Sequence, residues 1–154
     1  MLIKNKKIQI ALAVLFWALT ALLAVMIFGL SAQNGPESAS LSEKVRDFLS
    51  ALIGYELDLH IVRTCAHFLE YCAFTFSLFF ALAFSFNRFR PVVTVIISAL
   101  YAATDEIHQL FSDGRACDIK DFFVDSAGAV LTVAILVIII RLFHRITQRR
   151  SQYE

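Results

Sequence analysis

Four runs of apolar residues, each long enough to cross a bilayer as a helix, follow one another along the chain at about residues 8–30, 64–86, 92–111 and 122–140. Between the first and second the period changes. From Ser40 to Ile53, Leu41, Val45, Phe48, Leu49, Leu52 and Ile53 recur at helical spacing, while Glu43, Lys44, Arg46 and Asp47 take the other side. This predicts an amphipathic helix too short and too charged to span, lying along the membrane interface. Ser40 and Glu43 are expected to form its capping box and Gly54 its stop. Asn34-Gly35-Pro36 reads as the end of the first run, and Asn87-Arg88-Phe89-Arg90-Pro91 as a basic turn between the second and third. The pattern therefore predicts an all-α fold, a four-helix transmembrane bundle with an extra amphipathic interfacial helix in the first outer loop, forming one domain over residues 1–154.

Composition agrees with a membrane environment: 58% of the 154 residues are hydrophobic and only 18% are charged. The net charge of +1 conceals a sorting by sign. Lys4, Lys6, Lys7, Arg88, Arg90, Arg141, Arg145, Arg149 and Arg150 fall on one side of a four-span topology, and every acidic residue except Glu154 lies on the other side or in the outer part of a span. The positive-inside rule then expects both termini in the cytoplasm, in a multi-pass protein. The first apolar run exceeds a leader's hydrophobic region and lacks an A-x-A site, so it is read as a retained span. Three cysteines without C-x-x-C spacing argue against a zinc knuckle or disulfide framework, and Cys65 and Cys117 are expected as free thiols on the outer side. The basic tail is an orientation signal, and no nucleic-acid partner is expected.

The exceptions to the apolar pattern share a level. Counting 1.5 Å per residue from the cytoplasmic ends puts Glu70, Asp105, His108 and Asp125 all roughly 21 to 25 Å up, in the outer third of the bilayer. Arg63, His67, Glu70 and Tyr71 form one stripe of the second span, Tyr101, Asp105, His108 and Gln109 one of the third, and Asp121, Asp125 and Gly128 one of the fourth. An ionised side chain near the helix centre costs roughly 2.5 to 3.5 kcal/mol on the insertion scale, so these stripes should face one another rather than lipid. Taken singly, an Asp or His at a span end is ordinarily an interfacial anchor; taken together, the set predicts a hydrogen-bonded polar site open to the outer water, with Arg63, Arg115, His67 and His108 as its cations or donors, which Arg–carboxylate pairing would make rigid. Gly128 would let another helix approach closely.

Three blocks resemble the VanZ-like family of small bacterial membrane proteins. They are FGLSAQNGPESASLS (Phe28 to Ser42), RTCAHFLEY (Arg63 to Tyr71) and YAATDEIHQLFSDGRACDIKDFFVDSAG (Tyr101 to Gly128). The third is the most specific, similar to the family's D-E-x-H-Q-x-F-x-x-x-R block followed by D-x-x-x-D and Gly, here Asp105, Glu106, His108, Gln109, Phe111, Arg115, Asp121, Asp125 and Gly128. The resemblance implies a bacterial cell membrane, a role connected with the cell envelope and, for the family's namesake, low-level resistance to the glycopeptide teicoplanin.

Three readings of the constellation are open. In the first, Gln33, Arg63, His67, Tyr71, Asp105, Glu106, His108, Gln109, Arg115, Asp121 and Asp125 bind a ligand: a membrane lipid headgroup, a lipid-linked cell-envelope intermediate or a glycopeptide antibiotic. In the second, an intramembrane hydrolase or transferase uses catalytic candidates His67, Glu70, Asp105, His108 and Asp125, with a histidine as general base and a metal as one variant. No G-x-S-x-G or H-E-x-x-H pattern occurs, so neither a metal nor a cofactor is expected on motif grounds. In the third, the acids and histidines relay protons; the absence of ionisable residues from the inner halves of the spans weighs against it.

Overall fold

The computed structural model describes residues 2–114 and 117–150. Five helices run in order: α1 Lys6–Ser31, α2 Gly35–Ile53, α3 Leu59–Phe86, α4 Pro91–Gln109 and α5 Ile119–Arg150. Three of them, α1, α3 and α5, are long and apolar enough to cross a membrane. The third apolar run becomes α4, 19 residues long, whose last turns carry Asp105, Glu106, His108 and Gln109.

Helix ends follow from short polar side chains. Asn5 opens α1 by accepting from the Lys7 and Ile8 amides, and Asp58 opens α3 by accepting from Ile61 N at 3.0 Å. Asn87, in the left-handed region at φ 50°, closes α3 and accepts the Leu2 and Ile3 amides through Oδ1, so one residue fastens the chain's start to the turn below α3. The amphipathic helix begins five residues before the expected Ser40. Asn34 is its cap, accepting from Glu37 N at 2.9 Å, and Pro36 lies in the first turn. A proline there removes an amide that has no helical partner anyway, so the Asn-Gly-Pro string that reads as a stop is also a start. Gly54 ends α2 at φ 72°, as its sequence position predicts.

α3 lies at the centre, packed against α1, α5, α4 and α2. Antiparallel α1 meets it through Gln9 Nε2 donating to Phe84 O at 2.7 Å, the Thr20–Ser77 hydroxyl pair at 2.9 Å, and Phe16 against Phe80 and Phe84. Thr75 donates to Ser98 at 2.9 Å between α3 and α4, and Tyr101 reaches from α4 to Ala24 O on α1 at 2.6 Å. Tyr71, Phe74, Leu78 and Leu82 of α3 form the apolar core with Ile27 and Ala102.

The sorting of side chains is the reverse of a water-soluble bundle. Thr20, Ser31, Thr75, Ser77, Thr94, Ser98, Asp105, Glu106, Gln109 and Asp125 are buried, while Val14, Leu15, Leu22, Val25, Leu100, Ile138 and Phe143 are exposed. Outward-facing aliphatic surface on this scale is stable against hydrocarbon, not water. Small hydroxylated residues between helices provide the close packing and hydrogen bonds that hold helices together where lipid removes the hydrophobic drive.

Candidate functional site

The site lies where the C-terminal end of α4 meets the N-terminal halves of α3 and α5. Asp105 and Glu106 leave α4 on its buried side, and Asp125 leaves α5 with no exposed surface at all. One carboxylate oxygen from each of the three lies within 4.8 Å of the others. From α3, His67 Nδ1 stands 3.6 Å from Asp125 Oδ1, an ion-pair separation slightly long for a hydrogen bond. Among the described residues neither Asp125 oxygen has a hydrogen-bond partner, and the buried Tyr71 hydroxyl, one turn beyond His67, has none either.

The local folding explains how three acids come together. Gln109 Nε2 sits 3.4 Å from both Asp105 Oδ2 and Glu106 Oε1, using one amide to hold two carboxylates of the preceding turn. Glu106 Oε2 also accepts from Asp118 N at 2.9 Å, and Asp118 Oδ1 in turn accepts from Lys120 N at 2.9 Å. Glu106 is thus the brace between the end of α4 and the start of α5. Gly128 fixes the depth of Asp125: a Cβ on it would lie 2.7 Å from Phe68 O and 3.4 Å from Cys72 Sγ, so α3 and α5 approach as the Asp121, Asp125, Gly128 spacing predicts.

Beside this cluster is a cleft of about 240 Å³ between α1, α2, α3 and α4. Ile27, Leu30, Leu41, Val45, Val62 and Ala66 give it apolar walls; Gln33, Arg63, His67, Glu70, Asp105 and the serines 31, 38 and 42 give it polar ones. Asp105 and His67 belong to both cleft and cluster. A second, broader depression of about 800 Å³ brings Arg63 together with Asp58, His60, Asp118 and Asp121, so Arg63 borders both.

Of the residues singled out in the sequence, Gln33, Arg63, His67, Glu70 and Asp105 line the cleft, while Tyr71, Glu106, Gln109 and Asp125 are packed behind it. Asp121 falls on the second depression. Arg115 lies outside the described residues. Two expectations change in detail. Arg63 makes no ion pair with a carboxylate among the described residues, where the ion pairs are Arg46–Asp47 and His67–Asp125. His108 turns toward α1 and stacks on Phe28 at 4.0 Å between ring centroids, so Glu106 rather than His108 joins the buried acids. The helical stripe through Asp105 and His108 is wide enough to include either neighbour, and only packing chooses.

The sequence reading missed Ser38, Ser42, Leu41 and Val45 as cleft residues. Their i, i+4 spacing on α2 is a signal, since it places hydroxyls and aliphatic groups along one edge of that helix. The cysteines 65, 72 and 117 are free thiols. Partial desolvation, followed by the negative charge of Glu106, pushes the Cys117 thiol above its ordinary range, which disfavours the thiolate a cysteine nucleophile requires.

An all-helical chain with lipid-compatible outer faces and a buried polar cluster at one level is a membrane protein. It belongs to the VanZ/LLP1 family, whose model matches residues 16–141, from the first span through all three polar blocks. Neither the curated proteins nor the solved structures gave a match.

Proposed function

We propose that this VanZ-like protein is a four-span protein of a bacterial cell membrane, with α1, α3, α4 and α5 crossing, α2 lying along the outer interface and both termini cytoplasmic. Its cleft holds the polar head of a membrane lipid or lipid-linked cell-envelope molecule. The observation that carries this reading is the mixed lining of the cleft, in which Ile27, Leu30, Leu41, Val45 and Val62 stand beside Arg63, Gln33 and three serines, which suits an amphiphile with an anionic head. Arg63 supplies the forked donor for phosphate or carboxylate, and Gln33, Ser38 and Ser42 supply hydrogen bonds for sugar or amide groups. The exposed Phe48, Leu52 and Ile53 of α2 support its placement at an interface. A lipid-tailed glycopeptide such as teicoplanin has the same amphiphilic character, which is how the family's namesake phenotype would arise from the same cleft.

The test is binding of phosphatidylglycerol against phosphatidylcholine by native mass spectrometry of the full chain released from detergent. Loss of a hydrogen bond to a charged group is worth about 1.5 to 3 kcal/mol, so Arg63→Ala should weaken retention of the anionic lipid by about 10- to 100-fold and leave the neutral lipid unchanged. Equal retention of both lipids by wild type and variant would refute an anion-reading cleft.

The His67–Asp125 pair supports a second reading, an intramembrane hydrolase or transferase in which His67 takes a proton from water. Turnover of a lipid phosphate ester by the reconstituted protein, reduced about 100-fold or more in His67→Gln, is its expected signature. A preparation that binds lipid without converting it would leave the binding reading standing alone.

A further inference from the structure

We infer that Asp105, Glu106 and Asp125 form a divalent-cation site, with His67 beside Asp125 as its neighbour on α3. This goes beyond the proposed lipid cleft and does not depend on it. Three observations point to a cation. Oxygens from three carboxylates lie within 4.8 Å of one another, and all three residues are buried. Asp125 is completely buried, and neither of its oxygens accepts a hydrogen bond among the described residues. The Tyr71 hydroxyl, also completely buried and one turn along α3 from His67, is a third oxygen without a hydrogen-bond partner among the described residues.

The separation fits one ion. Two ligands on opposite sides of a cation stand about twice the metal–ligand distance apart, roughly 4.2 Å for magnesium-like ions and roughly 4.6 to 5.2 Å for calcium. The carboxylate oxygens already fall within the calcium span and reach the smaller one by a sub-ångström closing of side chains. Three carboxylates are a hard oxygen donor set, suited to Mn²⁺ and related divalent ions. A cation also resolves the electrostatics, since three buried carboxylates repel one another and a single divalent charge offsets most of that repulsion.

The surroundings supply the remaining parts of a metal site. Gln109 Nε2, 3.4 Å from Asp105 and from Glu106, and the Asp118 amide, 2.9 Å from Glu106, orient two of the three carboxylates from outside, as supporting groups around metal ligands do. The adjoining cleft, with Asp105 and His67 in its wall, is the route by which an ion reaches the site. Fastening α3, α4 and α5 to one centre would join the three helices that carry most of the polar residues.

The full chain, purified in detergent and stripped with EDTA, is titrated with MnCl₂ while free Mn²⁺ is followed by electron paramagnetic resonance. One Mn²⁺ per chain is expected, with a raised unfolding midpoint. Asp125→Asn should weaken binding by about 100-fold or more while the protein remains helical and monodisperse. Glu106→Gln, which keeps an acceptor for the Asp118 amide, is the second variant should the first fail to fold, and the same loss is expected. Glu43→Gln, on the exposed face of α2 and away from the cluster, should bind as wild type does. Wild-type protein that takes up no Mn²⁺, Ca²⁺ or Zn²⁺, or that binds no better than both cluster variants, would overturn the assignment and leave the carboxylates to share protons. Because no lipid enters the titration, its failure would leave the lipid-cleft reading untouched.

Discussion

Gly128→Ala is expected to lower the thermal unfolding midpoint of the detergent-solubilised protein by several degrees, and Gly128→Leu to prevent recovery of folded protein. A Cβ at this position would sit 2.7 Å from the Phe68 carbonyl oxygen, a backbone atom that cannot swing aside as a side chain can. Relief requires α3 and α5 to separate. Overpacking of this kind costs about 1 to 3 kcal/mol, and each kcal/mol moves the midpoint of a chain this size by roughly 2 to 4 °C. The separation would also lengthen the 3.6 Å approach of His67 to Asp125, three residues from Gly128, so the loss should extend to whatever the cluster binds. Gly35→Ala belongs with it, since its Cβ would meet Gly114 O at 2.5 Å where α2 begins against the turn after α4. Gly29→Ala is the control: nothing lies within 4 Å of a Cβ there, and replacing a helical glycine with alanine favours the helix. Circular dichroism melts of the three variants decide the matter, and a Gly128→Ala midpoint equal to that of Gly29→Ala would show that the helices are not held by this contact.

What the sequence made legible was the part governed by periodicity and depth. Apolar runs foretold the helices because their length and spacing are set by the bilayer and by the 3.6-residue turn, and the i, i+4 stripes foretold that His67, Asp105 and Asp125 would meet. Gly128 was readable as a close-approach site for the same reason. What the sequence left hidden depended on competition between neighbours. Asp105, Glu106, His108 and Gln109 all crowd one end of α4, and a stripe about 100° wide admits more than one choice of buried face. His108 stacks on Phe28 of α1 while Glu106, on another side of α4, faces the buried acids, and no pattern within α4 announces that. The start of α2 was misread because Asn34-Gly35-Pro36 satisfies the rules for ending one helix and for beginning another. Arg63 shows the same limit from another side: its stripe on α3 names it as a donor, but that it borders two cavities is set by how α2 covers α3.

Asp125→Asn is expected to stabilise the protein in EDTA and destabilise it, relative to wild type, in manganese. Without a cation, Asp125 places a carboxylate in a fully buried position beside two others, with His67 at 3.6 Å as its ion-pair partner. Removing a poorly compensated buried charge while keeping its shape is commonly favourable, by about 1 to 4 kcal/mol where the replacement packs well. The new amide also has protons to donate to the neighbouring carboxylates, turning repulsion into hydrogen bonds. With a cation the order reverses, because an ion present at 100 times its dissociation constant adds about 2.7 kcal/mol to the wild type and almost nothing to a variant that binds it weakly. Melting curves of both proteins, with EDTA and with MnCl₂, should therefore cross. A variant less stable than wild type under both conditions would mean that the protein itself satisfies Asp125. Crossing curves would mean that the buried acids are a functional arrangement kept against the preference of the fold, with the cost concentrated at the residue whose oxygens accept no hydrogen bond among the described residues.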